Sequence, residues 1–112
     1  MKLIVAMIRP HKLDDVKKAL TEVGIQGMSV AEIRGFGRTR GKTEVYRGSA
    51  YQLDFVPKVR IDVVVADNQV HAVLESLEQS TKTGKIGDGK VFVMNVEEAV
   101  RLRTGERGES AL

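Results

Sequence analysis

Three short stretches of the chain gather residue types that hold an anion, glycine beside lysine or arginine. The densest is Thr83-Gly84-Lys85-Ile86-Gly87-Asp88-Gly89-Lys90. Glycines this close let the backbone turn sharply and aim several N–H groups at one point, while Lys85 and Lys90 add positive charge. It is not a Walker A loop, because Ile86 follows Gly84-Lys85 and the leading glycine is absent. Gly35-Phe36-Gly37-Arg38 is a second glycine pair with a cation at the end of an extended stretch. The third is Arg101-Leu102-Arg103-Thr104-Gly105-Glu106-Arg107, whose alternation predicts Arg101 and Arg103 on one face. Two forked guanidiniums suit phosphate oxygens. Together the clusters point to a polyphosphate ligand; the plainer reading is solvated turns and surface charge.

Support for catalysis is thin. His11 follows Pro10 at a helix start, and His71 sits on a helix face among polar neighbours. Neither belongs to a Ser/His/Asp arrangement or to a His/carboxylate metal cluster. An acylphosphatase-type reading needs Arg and Asn converging on a phosphate loop, yet Asn68 and Asn95 both lie away from one. RNA recognition through a sheet needs paired aromatics, and Phe92 is alone in its strand.

Two halves with the same grammar must position these clusters. Lys2 to Arg9 reads as a buried strand closed by Pro10, which cannot donate to a ladder. Leu13, Val16, Leu20 and Val23 then fall at helical spacing, with Asp14 and Asp15 near the start and Gly24 as a stop. Met28, Val30 and Ile33 belong to an extended stretch. In the second half, Val59 to Ala66 is a strand, Asp67 is a natural N-cap, and Val70, Val73, Leu74 and Leu77 stripe a second helix. Lys90 to Met94 is a last strand. Two β-α-β units in series predict an α+β, ferredoxin-like β-α-β-β-α-β protomer, with both helices on one face of a four-stranded antiparallel sheet. The other face is expected to be bare and apolar, so an oligomer is expected. Between the halves, residues 38–54 carry two Tyr and several charges without an apolar period. This reads as a long projecting loop, a common seat of function.

The whole sequence of 112 residues reads as one domain, 1–112. Its charge is only +3, from 18 basic and 15 acidic residues of interspersed sign, which argues against a nucleic-acid partner. There is no Cys, so thiolate chemistry and Cys-based zinc sites are excluded. The longest apolar run, Leu3 to Ile8, is far short of the roughly 20 residues of a membrane span. A cytoplasmic protein is expected.

Tyr46-Arg47-Gly48-Ser49-Ala50-Tyr51, the glycine stretch 83–90 and the stretch 101–107 together resemble the PII nitrogen-regulatory signalling family, from Met1 to the C-terminus. The resemblance implies a homotrimer that regulates rather than catalyses, with three nucleotide sites in clefts between subunits. In it, ATP and ADP compete and 2-oxoglutarate joins Mg-ATP. It further implies that Gly35, Gly37 and Arg38 line the site with Ser29 and Val64 near its base. Gly87, Asp88, Gly89 and Lys90 would hold phosphates and ribose, and Arg101 and Arg103 would reach in from the neighbouring chain. Lys58 would pair with a carboxylate of 2-oxoglutarate. The segment 38–54 would be the T-loop that docks on regulated enzymes or on an ammonium transporter at the membrane. Arg47 would plug the transporter pore, and Tyr51 would be the target of a uridylylating enzyme.

One position departs from the pattern in a way that matters. Most members carry Gln where this chain has Thr39, and there the amide oxygen coordinates the Mg bridging ATP and 2-oxoglutarate. A Thr hydroxyl ends about two heavy-atom bonds short of that oxygen. A water fills the gap, Mg binding weakens, or another small anion such as bicarbonate is sensed. Arg40 for Lys, Lys42 for His and Ser29 for Thr are milder changes. Three readings stay open: a nucleotide-reading adaptor, a paralogue with the same site and a changed effector, and a slow ATP hydrolase, the last without an evident base beside the glycine loop.

Overall fold

The computed structural model describes residues 1–36 and 55–112, together with the backbone of two strands between them, Thr43–Tyr46 and Ser49–Gln52. Six strands and two helices follow in the order β1 (Lys2–Ile8), α1 (Leu13–Glu22), β2 (Ser29–Phe36), β3 (Thr43–Tyr46), β4 (Ser49–Gln52), β5 (Phe55–Val65), α2 (Val70–Thr81) and β6 (Gly89–Asn95). The main sheet runs β2-β5-β1-β6 and every neighbouring pair is antiparallel. This is the expected ferredoxin-like arrangement, with β1 and β5 central.

Period-two burial explains the sheet. Ile4, Ala6 and Ile8 of β1 and Val59, Ile61, Val63 and Val65 of β5 point to one side and are buried. Val16 and Leu20 of α1 and Val73 and Leu77 of α2 meet them, one residue per helical turn. Burial of side chains this size stabilises by about 1.5–3 kcal/mol each, so this layer holds the domain together.

Local chemistry sets the helix ends. Pro10 opens a short 3-10 turn ahead of α1, and Asp14 and Asp15 occupy the first turn of the helix. Gly24 ends it at φ 90°, with Gly24 N–H donating to Thr21 (3.1 Å) and Ile25 N–H to Leu20 (3.0 Å). That 5→2 and 6→1 pair is the Schellman motif, and it tucks Ile25 under the core. The expectation for Asp67 is corrected. The Gln69 side chain accepts the Ala66 N–H at 2.9 Å, while the Asp67 carboxylate takes the N-terminal ammonium at 2.9 Å. A full charge outcompetes a neutral amide for that carboxylate.

Two further expectations need revision. Within 38–54, β3 and β4 pair as an antiparallel hairpin, Thr43 opposite Gln52 and Tyr46 opposite Ser49, so the segment has secondary structure of its own. The open face of the sheet is also not uniformly apolar. Leu3, Val5 and Met7 of β1 and Phe92 and Met94 of β6 make an apolar strip, but β5 turns Lys58, Arg60 and Asp62 to the same side. Arg60 and Asp62 pair there at 2.8 Å. Edge strand β6 is exposed along its whole length, with Phe92 at 47% and Met94 at 44%. None of the described helices is long and apolar enough to cross a membrane.

Candidate functional site

At one end of the open face lies a cleft of about 670 Å³, within the size range of small-molecule sites. Gly35 enters from β2, Lys58 from β5, and Lys85 to Lys90 from the glycine loop that leads into β6. Backbone geometry makes one of these glycines obligatory and leaves little room at a second. Gly89 sits at φ 109°, and a β-carbon there would lie 1.8 Å from the Met7 carbonyl oxygen. Gly35 is close against Lys58, whose Cγ would be 3.2 Å from an added β-carbon. Small residues therefore let two strands and the loop close on one space.

The loop is built around Asp88. Its carboxylate accepts the Thr83 N–H (2.8 Å), the Thr83 hydroxyl (2.5 Å) and the Gly84 N–H (2.9 Å). These bonds, the Thr83 side chain's foremost, hold its pKa down to about 2. Because the folded value lies below the ordinary 3.8, the stabilisation is complete above that pH and is lost as the pH falls through about 2. In an acid titration followed by NMR, the Thr83 and Gly84 amide signals should therefore move together with a midpoint near 2. A midpoint near 4 would mean the carboxylate is not engaged.

Two cations fasten the loop from below. Arg9, just beyond β1, donates from Nη2 to the Ile86 carbonyl at 2.8 Å, and the same nitrogen stands 3.7 Å from Asp88. Lys58 donates from Nζ to the Gly87 carbonyl at 2.6 Å. Burial lowers the Lys58 pKa, Arg9 pushes it the same way, and Asp88 opposes them. The N–H groups of Ile86 and Gly87 find no acceptor among the described residues. Lys58, Lys85 and Lys90 line the cleft beside these donors, which gives it the elements of a candidate anion site.

The remaining sequence candidates fall elsewhere. Ser29 and Val64 share the open face, but at the far end of the sheet. Ser29 is six residues from Gly35 along β2, about 20 Å at strand rise. Arg101 and Arg103 follow β6 at that same far end and line no part of the cleft. Nor do they alternate along a strand. Val100 bridges Arg107, Gly105 takes φ 75°, and its N–H donates to the Arg101 carbonyl at 2.7 Å, so 101–105 is a turn. Arg101 donates to the Leu112 carbonyl at 2.9 Å and stands 3.9 Å from Glu106. Gly37, Arg38, Thr39 and Arg47 lie outside the described residues, as does the side chain of Tyr51.

Sequence reasoning passed over two features. Arg9 carried no signal beyond its place before Pro10. Phe36 and Phe55 are the last registered pair of β2 and β5, with ring centroids 5.7 Å apart at the cleft mouth, where the segment 38–54 departs. A cross-strand aromatic pair of this kind contributes about 0.5–1.5 kcal/mol beyond its buried area, enough to brace the base of the hairpin.

A ferredoxin-like sheet with a glycine-lined cleft on its open face, and a separate two-stranded hairpin between its halves, defines the class of fold. The sequence comparisons specify the family. The family model for nitrogen regulatory protein P-II matches residues 1–106. The chain is 56% identical to the nitrogen regulatory protein P-II of Cereibacter sphaeroides and to that of Rhizobium meliloti, over the full length of both chains in each case. It is 54% identical to that of Haemophilus influenzae, again over all 112 residues. The chain belongs to the P-II family of nitrogen-regulatory signal-transduction proteins.

Proposed function

We propose that this P-II protein is a cytoplasmic, non-enzymatic adaptor that binds ATP or ADP between the subunits of a homotrimer and reports the bound state through segment 38–54. One observation carries the reading. Gly35, Lys58 and Gly87 to Lys90 converge on a single cleft, whereas Ser29, Val64, Arg101 and Arg103 stand at the other end of the same sheet. A site that uses both sets must be completed by a second copy, which lets one binding event be felt across the assembly.

In this reading, the Ile86 and Gly87 N–H groups with Lys85 and Lys90 take the phosphates of the nucleotide, and Arg101 and Arg103 of the next subunit neutralise them from the other side. The cleft suits such a group by size and charge, and Mg would arrive on the phosphates and screen them. Gly37, Arg38 and Thr39 would close the mouth. Lys58 would exchange its Gly87 carbonyl for a carboxylate of 2-oxoglutarate. The arm, with Arg47 and Tyr51, would meet regulated enzymes, an ammonium transporter at the membrane, or a uridylylating enzyme.

Calorimetry of Mg-ATP binding with and without 2-oxoglutarate tests this. By linkage, each ligand must tighten the other by the same factor, and a gain of at least fivefold is expected. If ATP binds and the oxoacid changes nothing, Thr39 has altered the effector, and bicarbonate is the next to titrate. Absence of ATP binding would remove the site assignment.

A further inference from the structure

Asp88 reads from sequence as a ligand contact, but its carboxylate is already taken. Thr83 and Gly84 supply three donors to it. The resulting ring, residues 83 to 88, touches the sheet through two cations, Lys58 of β5 and Arg9 just beyond β1. One of them, Arg9, is held stiffly. Its backbone is extended at φ −67°, ψ 138°, the conformation that a following proline favours, and Pro10 begins the next turn. Its guanidinium reaches both the Ile86 carbonyl and the ring's carboxylate, with Arg9 only 25% exposed and Asp88 22%. A single nitrogen of the rigid, planar guanidinium thus bonds one point of the loop and stands in ion-pair range of a second. With the Ile86 carbonyl turned to Arg9, the N–H of the same peptide unit, that of Gly87, is left without an acceptor among the described residues, while the Asp88 N–H of the next unit turns back to the Lys85 carbonyl at 3.4 Å.

We infer that Arg9 and Asp88 are paired positioning residues of the glycine loop: Asp88 closes the ring, Arg9 anchors it beside β1, and together they orient the Gly87 N–H before any ligand arrives. This rests on the nucleotide reading only for its binding consequence; the conformational part concerns the ligand-free protein.

The decisive experiment measures amide hydrogen exchange of Thr83 and Gly84 in the ligand-free full-length protein, alongside ATP affinity, for Arg9→Gln, Arg9→Lys and Thr83→Val. Arg9→Gln should speed exchange at both amides about tenfold and weaken ATP by a similar factor, the size of effect expected on losing a charge-assisted bond. Arg9→Lys, which restores the charge without the planar guanidinium, should recover about half of each loss on a logarithmic scale. Thr83→Val loosens the ring from the opposite side without touching Arg9, and should reproduce the same paired signature. Unchanged exchange in Arg9→Gln with weakened ATP would overturn the proposal, because Arg9 would then act on the ligand directly. Should Arg9→Gln fail to fold, wild-type exchange in Thr83→Val would overturn it equally. If the wild type binds no ATP, the nucleotide reading fails, while the exchange comparison still decides whether Arg9 orders the loop.

Discussion

A Gly89→Ala chain should be destabilised by about 3–5 kcal/mol, at the extreme of what single substitutions do. The added β-carbon would stand 1.8 Å from the Met7 carbonyl oxygen and 2.9 Å from its carbon, both backbone atoms that no side-chain rotation can move. The φ of 109° adds strain for any residue with a β-carbon. Relief requires β1 and β6 to part at Ile8–Gly89 and Met7–Lys90, the rungs that set Lys90 at the cleft. ATP binding should therefore be lost with the stability, and the melting temperature should fall by roughly 15 °C or more for a domain of this size. Two companion changes separate space from strain. Gly84→Ala meets no atom within 4 Å but keeps φ 83°, so it should cost about 1–2 kcal/mol. Gly27→Ala has open space and no such φ, and should melt within about 2 °C of wild type. A Gly89→Ala protein that melts like Gly27→Ala would show that the close approach to Met7 does not exist in solution.

What was legible in the sequence and what was not divides along a physical line. The central strands and both helices were legible because burial imposes a period, and Ile4, Ala6, Ile8 or Val16, Leu20 write that period directly. The β3–β4 hairpin was not. Its strands are four residues each and carry Glu44 and Gln52 among their β-formers, so no stripe stands out. A Gly48 between two short runs rich in Thr, Val, Tyr and Ala was the available signal. Of the site, the glycines were legible because a tight turn needs them whatever the fold. The direction of Asp88 was not, since whether a carboxylate faces a ligand or its own loop depends on where Thr83 and Gly84 point. Arg9 became visible only when β1 was laid beside β6. Arg101 and Arg103 misled through alternation, because Gly105 turns the chain before a strand can form.

The separation of the two half-sites predicts a complementation that a self-contained pocket could not show. Take one chain with Lys90→Ala, spoiling the glycine-loop half, and another with Arg103→Ala, spoiling the far half. Each alone should bind ATP at least about a hundredfold more weakly, since each leaves phosphate charge unmatched in a partly enclosed site. In a closed ring of three, every cleft pairs the loop half of one subunit with the arginine half of the next. Any mixed ring, whether two-to-one or one-to-two, then contains one interface at which both halves are wild type. Equal mixing by random assembly makes about three quarters of the rings mixed, so about one quarter of all sites should recover native affinity. Denaturing and refolding the two chains together, then counting tight sites by equilibrium dialysis, measures this fraction. Recovery near one quarter establishes that ligand contacts cross between subunits. No recovery in rings shown to be mixed would place both halves within one chain and end the shared-cleft reading. The same count, repeated with 2-oxoglutarate, would show whether a single intact cleft suffices for the effector to act.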